Sequence, residues 1–158
     1  MVVSDVITYK SKLMDRLINI PDIFTLIDNP DIATPTEMIN QNIYSFIKIP
    51  NTTLQVKNYI CFDYNSKEFT KNPLLKNVTI NLTVVCHEDN IKTDWGNRHD
   101  VLAGIITDSF TWSDFLGFEL EFVSDTESVL ENVYHLRTLQ FRNITQNSLE
   151  NGVRMDGF

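Results

Sequence analysis

The side chains of this sequence that could bind a metal or activate water are concentrated between residues 87 and 100. They are, in chain order, His87, Glu88, Asp89, Asp94, His99 and Asp100. Imidazole and carboxylate groups are common ligands of divalent metals, and a bound metal can activate water. One hypothesis is therefore a small metal-dependent enzyme that uses His87, Glu88 and His99.

The spacing of these residues favours a structural interpretation instead. It matches neither His-Glu-x-x-His on one helical turn nor a Cys-x-x-Cys pair. Asp94 or Asn97 can cap the helix that follows, in an otherwise solvated loop. The five glycines are scattered, so there is no phosphate-binding loop, and no Gly-x-Ser-x-Gly elbow is present. We therefore expect no catalytic residue, no cofactor and no bound metal, and predict that the protein is not an enzyme.

Length and charge limit the remaining classes of function. A chain of 158 residues is typical of one domain with an ordinary core. Its 13 basic and 21 acidic side chains give a net charge of −8. Proteins that grip nucleic acid need clustered Lys and Arg, so this balance disfavours such binding. It is compatible with a ring through which DNA passes without specific binding.

The two cysteines and the N-terminal segment bear on the compartment. The first residues lack a basic segment followed by a long apolar run, so we expect no signal peptide. No stretch approaches 18 uninterrupted apolar residues, so we expect no membrane span. Cys61 and Cys86 lie inside strand-like segments, and we interpret them as reduced core thiols of a protein made in the cytoplasm. A disulfide between them is the alternative.

The elements that must position these residues are a strand and a helix between Asn77 and Asp114. Apolar and polar residues alternate strictly from Val78 to His87, as in a strand with one buried face. From Val101 to Phe110 the apolar residues recur every three or four positions, which indicates a helix. The helix should lie over the apolar face of the strand.

The rest of the chain supplies an amphipathic helix near the N-terminus and further strands. We predict strands over residues 43–49, 56–64, 118–123 and 133–143, a long exposed connection over 65–77 and an acidic turn over 124–132. Helices and strands are segregated, which indicates an α+β fold with a mainly antiparallel sheet of about four to five strands. An N-terminal helix and a central helix should flank this sheet. Residues 1–143 would form a single domain, and 144–158 a C-terminal tail or arm.

The last strand has apolar residues on both faces. Leu139 and Phe141 share one face with His135 and Arg137, whereas Tyr134 and Leu136 lie on the other. This pattern fits a strand covered by its own subunit on one face and by another chain on the other. The candidate subunit interface includes residues of this strand and of the 65–77 connection: Tyr134, Leu136, Leu139, Phe141, Lys67, Phe69 and Lys71.

The succession of elements resembles the tail-terminator or neck (head-tail joining) proteins of bacteriophages. The segments that carry the resemblance are YICFDY, NVTINLTVVCHED, DWGNRHDVLAGIITDSF, FELEFV and VYHLRTLQFR, together with the N-terminal amphipathic helix. They cover roughly four-fifths of the chain. The long 65–77 connection and the tail after Arg142 depart from the pattern, and either could be an arm that grasps a neighbour.

The resemblance implies a non-enzymatic structural protein of the virion tail or neck, made in the host cytoplasm. Usually six copies of such a subunit form a ring that caps the tail tube and joins it to the head connector. Its partners would be further copies, the tail-tube protein and connector or adaptor proteins, with DNA passing through the lumen and no membrane contact. A head-closure or adaptor ring and a tail-tube subunit are the alternatives within this class.

Overall fold

The computed structural model describes residues 5–48, 56–69 and 72–146. These ranges contain three α-helices, α1 (Asp5–Ile18), α2 (Pro21–Ile27) and α3 (Arg98–Phe110), and short 3₁₀ turns at Pro35–Met38 and Glu88–Asn90. Their strands are β1 (Ile43–Tyr44), β2 (Tyr59–Phe69), β3 (Asn72–His87), β4 (Lys92–Thr93), β5 (Gly96–Asn97), β6 (Glu121–Leu130) and β7 (Tyr134–Gln146). The predicted α+β class is confirmed.

Five of these strands form the main sheet, in the order β1-β2-β3-β7-β6. All neighbours are antiparallel except β1 and β2, which are parallel. β4 and β5 form a small separate hairpin just before α3. Since β1 has only two residues, the sheet is in effect built from four strands with a short addition at one edge.

The core lies between the helices and one face of the sheet. The alternating residues of β3 behave as the sequence predicts, with Val78, Ile80, Leu82, Val84 and Cys86 all buried on this face. They pack with α1, which buries Leu13, Met14 and Leu17, and with α3, which buries Leu102, Ala103, Ile106 and Phe110. The third helix, α2, adds Ile23, Leu26 and Ile27, so three helices and one sheet face enclose one continuous apolar core.

A second, smaller apolar cluster lies on the other face of the sheet. It contains Tyr44, Tyr59, Cys61, Val85 and Tyr134. Cys61 belongs to this cluster, whereas Cys86 belongs to the helix-side core, so the two thiols lie on opposite faces of the sheet. Both cysteines are free and buried. This agrees with the prediction of reduced core thiols and is inconsistent with the alternative of a disulfide.

The predicted 65–77 connection is wrong, because residues 65–69 and 72–77 belong to two paired strands. β2 continues to Phe69 and β3 starts at Asn72, and the register runs without interruption from Tyr59↔Val85 to Glu68↔Lys76. Few apolar residues occur here, so period-two alternation is weak. The strand conformation here is stabilised by backbone pairing between the two long strands, and not by burial of one apolar face.

The predicted acidic turn at 124–132 is also wrong, because residues up to 130 belong to β6. The chain turns only at 131–133, where Glu131 and Asn132 both have positive φ. The first predicted strand is shorter than expected, since β1 ends at Tyr44. β7 passes the predicted domain boundary and ends at Gln146, and the remainder of the predicted tail lies outside the described residues.

The predicted side-chain cap of the central helix is not formed. Asn97 precedes α3, but its side chain makes no capping hydrogen bond. Its Oδ1 instead accepts a hydrogen bond from Lys92 Nζ at 3.0 Å, across the β4–β5 hairpin. Among the described helices, none is both long enough and apolar enough to cross a membrane.

Candidate functional site

Five polar side chains meet where the N-terminus of α3 lies over β6 and β7. His99 Nε2 is 2.6 Å from Glu127 Oε2 and 3.3 Å from Asp100 Oδ1. Arg137 Nε donates to Asp100 Oδ1 at 2.7 Å, and Arg137 Nη1 donates to Asp125 Oδ1 at 3.2 Å. Arg137 Nη2 lies 3.7 Å from Glu127 Oε2. We refer to these five residues as the α3–β6 cluster.

Three elements hold the cluster in place. His99 and Asp100 lie in the first turn of α3, where a carboxylate is favoured by the positive end of the helix dipole. Glu127 and Arg137 are directly opposite each other in the β6–β7 register. Their side chains therefore point to the same face of the sheet, the one that α3 covers. The cluster thus joins the edge strand to the central helix.

The electrostatic balance of the cluster shifts two pKa values. Partial burial alone would raise the pKa of Asp100, but the hydrogen bond from Arg137, the nearby His99 and Arg137 charges and a hydrogen bond from Asn97 outweigh it and lower this pKa. The hydrogen bond to Asp100 is the main reason that the pKa of Arg137 is raised. Asp100 and Arg137 therefore stay ionised as a pair at neutral pH.

The cluster also offers the groups that a metal would need. One ligand atom each from His99, Asp100 and Glu127 lies within 4.8 Å of the others. However, the Arg137 guanidinium is hydrogen-bonded to Asp100 and lies close to Glu127. Its positive charge already balances these carboxylates, which disfavours a metal cation at the same position. His99 is buried, and its Nδ1 has no hydrogen-bond partner within the described part of the chain. The contacts of its Nε2 therefore orient the ring, and the arrangement is that of a structural ion-pair network.

The predicted combination of His87, Glu88 and His99 is not brought together. His87 packs edge-on against Tyr134, with ring centroids 5.1 Å apart, whereas His99 packs against His135. Tyr134 and His135 are consecutive in β7 and so point to opposite faces of the sheet. His87 is the last residue of β3, and its Nδ1 accepts a hydrogen bond from the backbone N–H of Asp89. These two histidines cannot share one metal ion.

Three of the predicted interface residues pack inside the subunit. Leu139 and Phe141 are completely buried in the helix-side core, and Tyr134 is buried in the second cluster. The two-sided apolar pattern of β7 arises because one subunit builds a cluster on each face of the strand. This burial leaves almost no side-chain surface for a neighbour and disfavours these three residues as interface candidates, but their role at an interface stays a prediction. Leu136 packs only partly against the second cluster.

Two of the remaining interface candidates lie on β2. Lys67 is exposed on β2, and Phe69 is the last residue of that strand. Lys71 lies outside the described residues. Whether these residues contact a neighbour stays a prediction.

An exposed surface that the sequence did not indicate lies at β6. This strand is last in the sheet order, so among the described residues β7 is its only partner strand. It exposes Phe122, Val123 and Val129, the last to 53%. Nearly every residue of β6 is exposed, and an open strand edge with apolar side chains is a surface on which other chains can dock.

Sequence reasoning missed Asp125, Glu127 and Arg137 as members of the cluster. None of them is close in sequence to the 87–100 segment, and Asp125 and Glu127 fall in the predicted turn over 124–132. The only local signal was that Arg137 shares a face with the buried Leu139 and Phe141. A basic residue on a core face needs an acidic partner.

These observations define the class as a small α+β protein with one main sheet and helices on one face, in which β7 is the only partner of the edge strand β6 among the described strands. The model of the YomW family matches residues 12–143, which is most of the chain, and the protein belongs to that family. YomW is a protein name of phage type, from the SPbeta region of a Bacillus phage, and it indicates a phage origin. No curated protein matches the chain.

Proposed function

We propose that the protein is a structural component of a phage virion, a tail terminator whose copies form a ring at the head-proximal end of the tail. The ring caps the tail tube, stops its growth and joins it to the head connector. Membership of a phage-type family and the α+β fold support this proposal. So does the resemblance in the order of elements.

The observation that carries the proposal is the open edge at β6. Among the described strands, β7 is the only partner of the ten-residue β6, which also exposes Phe122, Val123 and Val129. Such an edge is unfavourable for a protein that works as a monomer. Natural sheets usually cover or blunt such an edge. A subunit that docks this edge on a neighbour removes the apolar side chains from water.

The net charge of −8 also supports a ring around DNA. An acidic lumen repels phosphates, so DNA can pass without being held. Identical subunits that associate head to tail close into a ring if the rotation between them permits it. Six copies are the usual number in the family that the sequence resembles.

Two other functions within the same class remain alternatives. A head-closure or adaptor ring would bind the connector without stopping tube growth. A tail-tube subunit would stack on its own rings and form long tubes. A terminator, in contrast, should stop at one ring.

A second candidate from another class is a small metal-dependent enzyme. It rests on the His99, Asp100 and Glu127 ligand atoms within 4.8 Å of one another. The Arg137 guanidinium beside these carboxylates disfavours it, since a divalent cation would have to displace or repel that charge. Stoichiometric metal after mild purification would support the enzyme.

The test is the mass of the purified protein in solution across a concentration series, with electron microscopy of the same sample. Closed rings, or a monomer that forms a single ring when tail tubes are added, would support a terminator. Long tubes would instead indicate a tube subunit. A monomer that binds no tail component and carries metal would overturn the structural proposal.

A further inference from the structure

The two ends of the main sheet have opposite charge. We define the acidic edge as residues 121–131, which comprise β6 and the residue after it. Glu121, Asp125, Glu127 and Glu131 lie in this range, which contains no Lys or Arg. Arg137 contacts three carboxylates, Asp100, Asp125 and Glu127, and Arg142 pairs with Glu121, so β7 supplies two guanidinium groups against five carboxylates, Glu131 included. The acidic groups therefore remain in excess at this edge.

The opposite end of the sheet carries basic side chains. We define the basic edge as Lys10 with residues 44–48 and 56–57, next to β1, the first strand of the sheet order. Lys48 Nζ and Lys57 Nζ lie 5.0 and 5.3 Å from the centre of the Tyr44 ring. Lys10 Nζ donates to the carbonyl of Ser45 at 2.7 Å. Residues 44–48 and 56–57 include no acidic residue.

Both edges also expose apolar side chains. Phe46, Ile47 and Val56 are each 50% exposed at the basic edge. Phe122, Val123 and Val129 are exposed at the acidic edge. A protein interface typically has an apolar centre and a polar, charged rim. Each edge combines exposed apolar side chains with charged ones, so each could form one side of such an interface.

We propose that the acidic edge of one copy docks on the basic edge of the next copy. This inference rests on the proposed function and names the contact from which the ring would be built. The opposite charges attract across this contact, whereas two acidic or two basic edges repel each other. A two-fold dimer through identical edges is therefore disfavoured, and the contact is head to tail.

The proposal requires that each edge can be blocked separately. Val129→Lys places a positive charge in the apolar part of the acidic edge and leaves the basic edge intact. Ile47→Glu does the reverse. Both positions are at least half exposed, so we expect either chain to fold, which circular dichroism and thermal unfolding would verify. Trp95→Lys is the matched control, because Trp95 is 71% exposed and belongs to neither edge.

The experiment measures mass by analytical ultracentrifugation for each chain alone and for the two edge variants mixed. We expect each edge variant alone to associate at least about tenfold more weakly than the unmodified chain, and Trp95→Lys to associate normally. In the mixture, the intact acidic edge of Ile47→Glu can bind the intact basic edge of Val129→Lys. The mixture should therefore form small complexes containing both variants in equal amounts.

The outcomes separate this inference from the proposed function. If the unmodified chain forms rings and the edge variants form them equally well, the two edges do not form the contact between copies, and the ring proposal survives. If the edge variants fail to associate both alone and mixed, the head-to-tail contact is wrong. If the unmodified chain stays monomeric at every concentration, with and without tail tubes, both proposals are overturned.

Discussion

The imidazole Nε2 of His99, in the first turn of α3, lies 2.6 Å from Oε2 of Glu127 in the middle of β6. This contact ties the edge strand to the central helix. Since β6 pairs only with β7 among the described strands, the α3–β6 cluster is its second attachment to the subunit. The position of the acidic edge, and with it any contact made there, depends on this cluster.

The first prediction concerns the loss of Glu127. Glu127→Ala leaves Nε2 of the buried His99 without its closest partner and removes one neighbour of Arg137. Unsatisfied buried polar groups cost about 1–3 kcal/mol, so we expect a decrease of about 1–2 kcal/mol in the free energy of unfolding. Urea denaturation measures it, and hydrogen exchange should become faster in β6. Glu119→Ala, at an exposed position just before β6, is the control and should change little. Equal effects of both substitutions would contradict the conclusion that Glu127 attaches β6 to α3.

The second prediction concerns the pH dependence of stability. The pKa of Asp100 is lowered from its usual value of 3.8, so its ionised form is favoured more in the folded than in the unfolded chain. This contribution is complete above the unfolded pKa and is lost as the pH falls below about 4. We expect Asp100→Asn to lower stability at pH 7 by about 1 kcal/mol, with a smaller difference at pH 3. Urea midpoints at both values measure this. A difference that grows on acidification would contradict the assignment.

The third prediction concerns the thiols. Burial raises the pKa of Cys86 to about 12 and also raises the pKa of Cys61, so both are protonated and inaccessible at neutral pH. Because the thiolate is the reactive form, we expect both cysteines of the folded protein to resist alkylation. They should react rapidly in urea, and mass spectrometry of the alkylated chain distinguishes the two states. Rapid labelling of either cysteine in the native protein would contradict the described packing.

The fourth prediction separates core residues from exposed residues in the same pair of strands. Phe141 on β7 is completely buried, and its register partner Phe122 on β6 is 38% exposed, with the ring centroids 6.0 Å apart. Phe141→Ala should cost about 3–5 kcal/mol, as for other buried Phe residues. Phe122→Ala should cost clearly less. Chemical denaturation of the two variants gives the comparison. A small effect of Phe141→Ala on the free energy of unfolding would contradict the burial of Phe141 in the helix-side core.

The sequence predicts the elements that bury a face. The strand over Val78–His87 and the helix over Val101–Phe110 were predicted because burial on one face imposes a period of two or of 3.6 residues. Only residues 121–123 of β6 fall within the predicted strand over 118–123, and the rest of β6 is missed for the same physical reason. It is exposed on both faces, so its segment SDTESVL has no alternation and reads as a turn. Its strand conformation comes from pairing with β7, which local patterns do not reveal.

The α3–β6 cluster could not be predicted from spacing. Asp100 and Arg137 are 37 residues apart, and His99 and Glu127 are 28 apart, and neither separation has a meaning before the fold is known. The metal hypothesis instead joined His87 and His99, which are close in sequence. His87 points to the face of β3 opposite to that of the buried Cys86, whereas His99 belongs to α3, which packs on the Cys86 face.

The fifth prediction concerns metal binding by the α3–β6 cluster. Arg137 contributes a fixed positive charge next to Asp100 and Glu127, so we expect Zn²⁺ or Mn²⁺ not to raise the melting temperature of the unmodified chain. Arg137→Ala removes this charge and leaves His99 and three carboxylates without their counter-ion, so the variant should be destabilised without metal. Added Zn²⁺ should then restore part of the lost melting temperature in a concentration-dependent manner. The double substitution His99→Ala and Arg137→Ala removes the imidazole ligand and is the control. Stabilisation of the unmodified chain by Zn²⁺, abolished by His99→Ala, would show that Arg137 does not exclude the metal and would favour the enzyme hypothesis.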